Sequence, residues 1–245
     1  MKLFCIPYAG GSAAIYSRWK AVLHPAIELV PLELPGRGSR IGEKLCGDLG
    51  SLVRDAVTRI RTEAGEGPYA VFGHSLGSLI AYEAVHDLLG HGGPAPQHLF
   101  LSGRGAVHLE PERERLLYPL PDEEFMEAIY ELGGTPREVL QHKEIVSLFL
   151  PILRADYRIA ETYAYRERPP FAIDLTVMYG TGDRPHLPNM PEWNRHTQGT
   201  CRLIAYEGDH FFLNDSSHRT EMIRAINDTL RAPMPAGWAG SLHRL

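Results

Sequence analysis

The sequence contains few cysteines and no long apolar run. Its three cysteines, Cys5, Cys46 and Cys201, are far apart and odd in number. This spacing matches neither a disulfide framework nor a set of metal ligands, and it is typical of a reducing compartment. No stretch approaches the ~20 apolar residues that cross a bilayer. The apolar start breaks at Pro7, which is too early for a signal peptide. We therefore predict a cytoplasmic protein with no membrane association and no bound metal.

The sequence also has no excess of basic residues over acidic ones. The 245 residues carry a formal net charge of −5, and no basic tail or stripe stands out, which argues against nucleic-acid binding. An apolar content of 44% and a charged content of 22% are ordinary for a globular protein. A chain of this length can bury a sizeable core. We predict one domain and expect a monomer.

Short apolar runs alternate with stretches of helical periodicity. Strands that alternate with helices pair in parallel, so we predict an α/β fold with a mostly parallel sheet flanked by helices. Pro31 lies inside the second run and predicts an edge strand. The predicted strands are residues 3–6, 27–34, 69–72, 98–102, 175–179 and 201–206. The predicted helices are residues 13–23 (with Ser12 as N-cap), a helix from Asp48, and residues 76–89, 122–132, 143–163, 191–197 and 216–230.

The alternation stops between residues 104 and 170, which predicts a helical lid inserted into the domain. Within it we expect one helix capped by Asp122, and a longer helical run that Pro151 kinks or divides. The core then comprises residues 1–103 and 171–231. Residues 232–245 show little pattern and predict a loose tail.

The stretch from Tyr69 to Gly77 carries the most specific chemical signal. An apolar strand ends in Gly73-His74-Ser75-Leu76-Gly77, and a helix begins at once. In a G-x-S-x-G motif of this kind, the serine lies on a sharp strand-to-helix turn that exposes its hydroxyl. Glycines are needed there because a Cβ would clash with neighbouring backbone. The helix also directs free N–H groups and its positive dipole end toward the serine. Ser75 is therefore a candidate nucleophile.

A serine nucleophile needs a base and an acid to orient that base. Catalytic groups gather at the carboxyl ends of parallel strands. Asp183 follows the predicted strand 175–179, and His210 follows the strand 201–206. The order Ser75, Asp183, His210 matches that of α/β-hydrolases. The competing residues either precede a strand, shape a neighbouring loop, or lack a strand-end position: Asp174, Asp209, Asp215, His108, His186 and His218. We expect His74 to be structural, because its side chain should point away from that of Ser75.

Acyl transfer also needs donors for an oxyanion. The backbone N–H of Leu76 begins the helix, and the N–H of Ala9 lies in the loop after the first strand. We predict that these two amides form the oxyanion hole. Gly10 and Gly11 could alternatively serve only to allow a tight turn.

Several longer segments resemble the type II (external, editing) thioesterases of polyketide and nonribosomal peptide synthesis. They are CIPYAGGSA at the start, LELPGRGSR, GHSLGSLIAYE, LFLSGR, LPILRADYRIAETY and GDHFFL, and they extend the resemblance from about Leu3 to Leu230. The family often has methionine at the position of Leu76, and it usually continues toward Ala-Pro where this chain has Gly105-Ala106-Val107.

The resemblance implies an α/β-hydrolase fold with a helical lid and no cofactor. It also implies hydrolysis of acyl thioesters on the phosphopantetheine arm of carrier proteins, which clears stalled or wrongly primed chains. By the same resemblance Ser75, Asp183 and His210 form the triad. A carboxylesterase with the same triad, a product-releasing thioesterase and a catalytically silent binding subunit are the alternatives.

Candidate substrate contacts fall into two groups. Arg37 and Arg40 follow the second strand at the catalytic edge and could meet the pantetheine phosphate or an acidic carrier domain; the alternative is an ion pair or a solvated loop. Apolar lid residues could line an acyl channel or simply form the core of the lid: Phe125, Tyr130, Phe149, Leu153 and Tyr157.

Overall fold

A computed structural model describes residues 1–110, 115–133 and 143–231. Six parallel strands form one sheet in the order β2-β1-β3-β4-β5-β6, which confirms the predicted α/β class. The strands are β1 (Lys2–Ile6), β2 (Glu28–Pro31), β3 (Tyr69–His74), β4 (Leu99–Ser102), β5 (Leu175–Gly180) and β6 (Cys201–Tyr206). Because all six run in one direction, their carboxyl ends share one edge, where the candidate catalytic residues follow.

Five α-helices and several short 3₁₀ segments occur in the described ranges. The α-helices are α1 (Leu49–Ala64), α2 (Leu76–Gly90), α3 (Asp122–Glu131), α4 (Lys143–Glu161) and α5 (Ser216–Arg231). The 3₁₀ segments are Ala13–Ala21, Gly38–Arg40, Leu187–Asn189, Pro191–His196 and Phe212–Asn214. No helix among the described residues has the length and apolar character needed to cross a membrane.

The sheet separates two apolar cores because successive side chains of a strand point to opposite faces. In β1, Phe4 and Ile6 join the core beneath α1 and α2, whereas Leu3 and Cys5 join the core that contains Trp19 and the buried face of α5. Both faces are therefore covered, as the near-continuous apolar strands require.

The first 65 residues differ from the sequence prediction in detail. The second strand is shorter than residues 27–34 and ends at Pro31, and it lies at the sheet edge as the proline predicts. The helix predicted for residues 13–23 is a 3₁₀ segment that ends at Ala21, and the Ser12 hydroxyl accepts from the Ala14 N–H at its start. The predicted tail, residues 232–245, lies outside the described residues.

Helices α3 and α4 follow β4 and share an apolar cluster that contains Phe125, Ile129 and Leu153. The predicted cap at Asp122 is wrong: Asp122 is the first helical residue, and its carboxylate accepts from Arg154 instead. Pro151 does not divide the long helix, which is continuous from Lys143 to Glu161 because its apolar face packs on both sides of the proline. The lid boundaries stay a prediction, since residues 111–114 and 134–142 lie outside the described ranges.

Candidate active site

Ser75 occupies a strained turn between β3 and α2. Its φ of 56° makes it the one non-glycine residue with positive φ in the described part of the chain. Such a conformation costs on the order of 1–3 kcal/mol and persists only where the surroundings hold it. Here the Ser75 N–H donates to the Ser102 carbonyl at 2.7 Å, and the Ser78 hydroxyl donates within the same turn to the Gly73 carbonyl at 2.7 Å. The turn is therefore tied to β4 and presents the Ser75 hydroxyl at the sheet edge.

The two motif glycines allow close backbone approaches. A Cβ at Gly73 would lie 2.1 Å from the Gly77 carbonyl oxygen, and a Cβ at Gly77 would lie 2.1 Å from the Ile6 carbonyl oxygen. Both approaches involve backbone, which cannot rotate away as the end of a side chain can. The clash expected from the sequence is confirmed, and Gly77 also brings the end of β1 against the start of α2.

His210 lies between Ser75 and Asp183. Its Nε2 is 2.9 Å from the Ser75 Oγ, and its Nδ1 is 2.7 Å from the Asp183 Oδ2. Since a carboxylate only accepts, the Nδ1 carries the proton and the Nε2 lone pair faces the serine hydroxyl. The Asp183 side chain is 3% exposed and that of His210 is 19% exposed, so the carboxylate is buried and the imidazole is partly open to solvent. The structure thus brings together the three residues that the sequence selected.

The loops that carry Asp183 and His210 are bonded to each other. The Gly182 N–H donates to the Gly208 carbonyl at 2.7 Å, and the Thr181 N–H donates to the Tyr206 carbonyl at 2.8 Å. These bonds continue the pairing of β5 with β6 beyond the strands. The distance between acid and base is therefore set by the sheet.

His74 contacts the backbone of His210. Its Nε2 lies 3.0 Å from the His210 carbonyl oxygen, and its Nδ1 lies 2.8 Å from the Ser102 Oγ. Burial lowers the pKa of His74 well below its ordinary value. The ring is therefore neutral, with Nε2–H donating to the carbonyl and Nδ1 accepting from the serine hydroxyl. This buried ring holds the loop that carries His210 in place.

The amides of Leu76 and Ala9 belong to the two segments that meet where Gly77 approaches the carbonyl groups of Ile6 and Pro7. Leu76 is the first residue of α2, where a backbone N–H has no partner within the helix. Among the described residues, the Ala9 N–H has no hydrogen-bond acceptor, whereas the next N–H, that of Gly10, donates to Asp156. The ring of Tyr8 packs edge-on against His74, with 5.8 Å between centroids, so the Ala9 loop lies beside the nucleophile turn.

The two candidate arginines are engaged in ion pairs. The side chain of Arg37 is 3% exposed, and both of its terminal nitrogens bind the Asp156 carboxylate. Arg40 binds Asp55 and Glu43, each through two hydrogen bonds. Both guanidinium groups are held in ion pairs, so the ion-pair alternative is the one that the structure favours.

The five lid residues proposed as substrate contacts differ in how far their side chains are buried. Phe125 is completely buried; it packs edge-on against Tyr157, and Leu153 lies in the same apolar cluster. Tyr130 is half-buried on α3. Phe149 is 40% exposed and lines a cavity of about 150 Å³ beside Gly10. Of the five, Phe149 is the one that lines this cavity.

One group of side chains in the described ranges could hold a metal ion. Ligand atoms of Asp183, His186 and His210 all lie within 4.8 Å of one another. The ring of His186 lies 5.7 Å from that of His210, so it is closer to the site than its sequence position indicated. Asp183 and His210 already bind each other, and the absence of a metal requirement stays a prediction.

Asp156 is the residue near the site that sequence reasoning missed. It is 1% exposed and lies on the same face of α4 as the buried Ile152 and Ile159. Their i, i+4, i+7 spacing carried a usable signal, because an acid within an apolar helical face requires a buried partner.

Comparisons with known proteins show the family of the chain. A model of the family described as "Thioesterase domain" matches residues 1–230. Thioesterase PikA5 of Streptomyces venezuelae is 40% identical over 233 residues, which cover 94% of this chain and 81% of that protein.

Two solved structures are also similar. The crystal structure of ClbQ from the colibactin NRPS/PKS pathway matches with a TM-score of 0.88 and 37% identity, covering 94% of this chain and 96% of that chain. The type II thioesterase BorB from the borrelidin biosynthetic cluster matches with a TM-score of 0.83 and 32% identity, covering 94% and 92% of the two chains. The chain therefore belongs to the thioesterase family and is a thioester hydrolase with the α/β-hydrolase fold, related to type II thioesterases.

Proposed function

We propose that this enzyme hydrolyses acyl thioesters from the phosphopantetheine arm of carrier proteins in a polyketide or nonribosomal peptide synthase, removing stalled or aberrant acyl groups. The observation that carries the proposal is the hydrogen-bonded chain Ser75–His210–Asp183 at the strained turn. The pathways named for its relatives support the kind of substrate. A monomeric enzyme in the cytoplasm that needs no cofactor is part of the same proposal.

The first half of the reaction forms an acyl-enzyme. The His210 Nε2 takes the proton of the Ser75 hydroxyl as the Oγ attacks the thioester carbonyl carbon. The negative charge that develops on the carbonyl oxygen is stabilised by the N–H groups of Ala9 and Leu76. The carbon–sulfur bond then breaks, and the His210 imidazolium returns the proton to the departing pantetheine thiolate.

The second half releases the acid. Water gives a proton to the His210 Nε2 and attacks the acyl-enzyme carbonyl, which forms a second tetrahedral intermediate at the same two amides. Its collapse returns the proton to the Ser75 Oγ and frees the carboxylic acid. Asp183 keeps the Nδ1 proton in place throughout and stabilises the imidazolium in both halves.

A comparison of substrates tests the proposal. We expect the ratio kcat/KM to be highest for an acyl group on a carrier protein, lower for the same group on free pantetheine, and lowest for an oxygen ester. Ser75→Ala should reduce hydrolysis of all three by ~10³-fold or more.

Each alternative predicts a different pattern. Preference for the oxygen ester would identify a carboxylesterase, and turnover restricted to one full-length product would identify a product-releasing thioesterase. A protein whose Ser75 does not react with a fluorophosphonate would be a silent binding subunit.

A further inference from the structure

A buried ion pair joins α4 to the loop that follows β2. The Arg37 Nη1 and Nη2 lie 2.5 Å and 2.8 Å from the two carboxylate oxygens of Asp156. The two side chains are 3% and 2% exposed. Such a two-point contact fixes direction as well as distance. Asp156 therefore has one permitted orientation, set by an arginine at the carboxyl edge of the sheet.

The same carboxylate also binds the backbone next to the candidate oxyanion donor. The Gly10 N–H donates to the Asp156 Oδ2 at 2.7 Å. Gly10 directly follows Ala9, so this bond fixes the peptide plane on the carboxyl side of Ala9. Because peptide units are planar, only the two backbone dihedrals of Ala9 separate that plane from the one that carries the Ala9 N–H.

An apolar contact from α4 reaches the same glycine. A Cβ at Gly10 would lie 2.4 Å from the Cδ2 of Leu153, which precedes Asp156 by about one helical turn. Gly10 has a φ of +77°, a conformation that favours glycine. Two side chains of α4, one apolar and one charged, thus hold a single residue of the loop.

Stability alone is a weak reason for this arrangement. Replacing a buried ion pair by apolar residues of similar size is often neutral or stabilising, because desolvating two charges offsets their attraction. What the pair adds is a fixed geometry for the backbone that it touches.

We propose that Asp156 is a positioning residue of the oxyanion hole. It orients the Ala9 N–H through Gly10, and it makes that orientation depend on α4 being in place. The oxyanion hole is then complete only when this helix of the lid is seated on the loop. The inference rests on the proposed serine mechanism, in which the Ala9 amide stabilises the tetrahedral intermediate.

The test compares Asp156→Asn with the wild type, using octanoyl-pantetheine as substrate. It measures kcat, KM and inhibition by octylboronic acid. This inhibitor forms a tetrahedral adduct on a reactive serine. We expect kcat to fall by ~10–100-fold with KM changed by less than about twofold. The affinity for the boronic acid should fall by the same factor as kcat/KM. An irreversibly unfolded fraction would lower kcat but would leave the affinity of the remaining folded enzyme unchanged. The pH dependence of kcat/KM should not change, because the triad is retained.

Glu161→Gln is the matched control. Glu161 is another carboxylate of α4 that accepts backbone N–H groups, those of Leu117 and Tyr118, which belong to the lid. This variant should keep the wild-type affinity for octylboronic acid. If Asp156→Asn does not fold, Arg37→Lys takes its place. This substitution keeps the buried charges paired but loses the two-point contact, and it should lower kcat and the affinity for octylboronic acid by ~3–10-fold.

Failure of the positioning role can be distinguished from failure of the proposed function. A folded Asp156→Asn or Arg37→Lys enzyme that binds octylboronic acid as tightly as Glu161→Gln would overturn the positioning role. Failure of the proposed function would instead appear as wild-type protein that does not hydrolyse octanoyl-pantetheine, or as a Ser75→Ala variant that does.

Discussion

Gly77→Ala perturbs the contact between α2 and the end of β1. The new Cβ would lie 2.1 Å from the Ile6 carbonyl oxygen and 2.8 Å from that of Pro7. Reaching an ordinary contact of 3.4 Å requires the nearer pair to separate by about 1.3 Å. Neither side can yield by a rotamer change, because the opposing atoms are backbone. The start of the helix or the end of the strand must therefore move.

That movement separates the two candidate oxyanion donors. The Leu76 amide belongs to α2, and the Ala9 amide belongs to the loop that follows Pro7. A misplacement of ~1 Å at an active site can cost ~10²-fold in rate. Overpacking of a tight contact costs ~1–3 kcal/mol in stability. We therefore expect Gly77→Ala to lower kcat by about 10²-fold and to lower the free energy of unfolding by a few kcal/mol.

The assay compares Gly77→Ala with Gly90→Ala by thioester hydrolysis and by denaturant unfolding. Gly90 lies exposed at the other end of the same helix, and a Cβ there meets nothing within 4 Å. The control substitution should leave kcat unchanged and stabilise the protein by ~0.5–1 kcal/mol. Wild-type kcat and stability in Gly77→Ala would refute the reasoning.

Three further outcomes follow from the contacts described above. Asp183→Asn should lower kcat by about 10⁴-fold, since the amide no longer holds the required tautomer of His210; a loss below about tenfold would contradict this. Arg40→Met should lower the free energy of unfolding by ~1–3 kcal/mol, because the two-point contacts with Asp55 and Glu43 are lost, and it should leave the KM for an acyl-carrier substrate unchanged; a large rise in that KM would instead support a contact between Arg40 and the carrier. Burial lowers the pKa of His98 to about 4 and that of His196 to about 4. The unfolded chain therefore binds more protons below pH ~6.5, and Tm should fall as pH drops toward 4; a flat Tm would contradict this.

Local signals explain why much of the fold and the triad could be predicted. The four inner strands, β1, β3, β4 and β5, are buried on both faces, so each appears as a short apolar run that ends where a polar loop begins. The positions of Asp183 and His210 follow from counting strand ends. Gly73 and Gly77 identify the turn, because a residue with a Cβ at either position would clash with the neighbouring backbone.

Contacts between distant segments explain what was not predicted. Arg37 and Asp156 are separated by 119 residues, and nothing in either local pattern indicates the partner. The lid has its own apolar cluster, so helical periodicity alone could not distinguish Phe125 in that cluster from Phe149 beside the cavity. Likewise, periodicity did not distinguish an α-helix from the 3₁₀ segment that begins at Ala13.

Covalent catalysis by Ser75 is tested most directly by a single-turnover experiment. Enzyme in excess is mixed with a carrier protein that bears a radiolabelled acyl group, the reaction is quenched with acid, and the labelled peptide is mapped. We predict that label appears on the peptide containing Ser75 before free acid accumulates, and that Ser75→Ala shows neither label nor acid. Release of acid by Ser75→Ala, or label on a different residue, would contradict the serine mechanism.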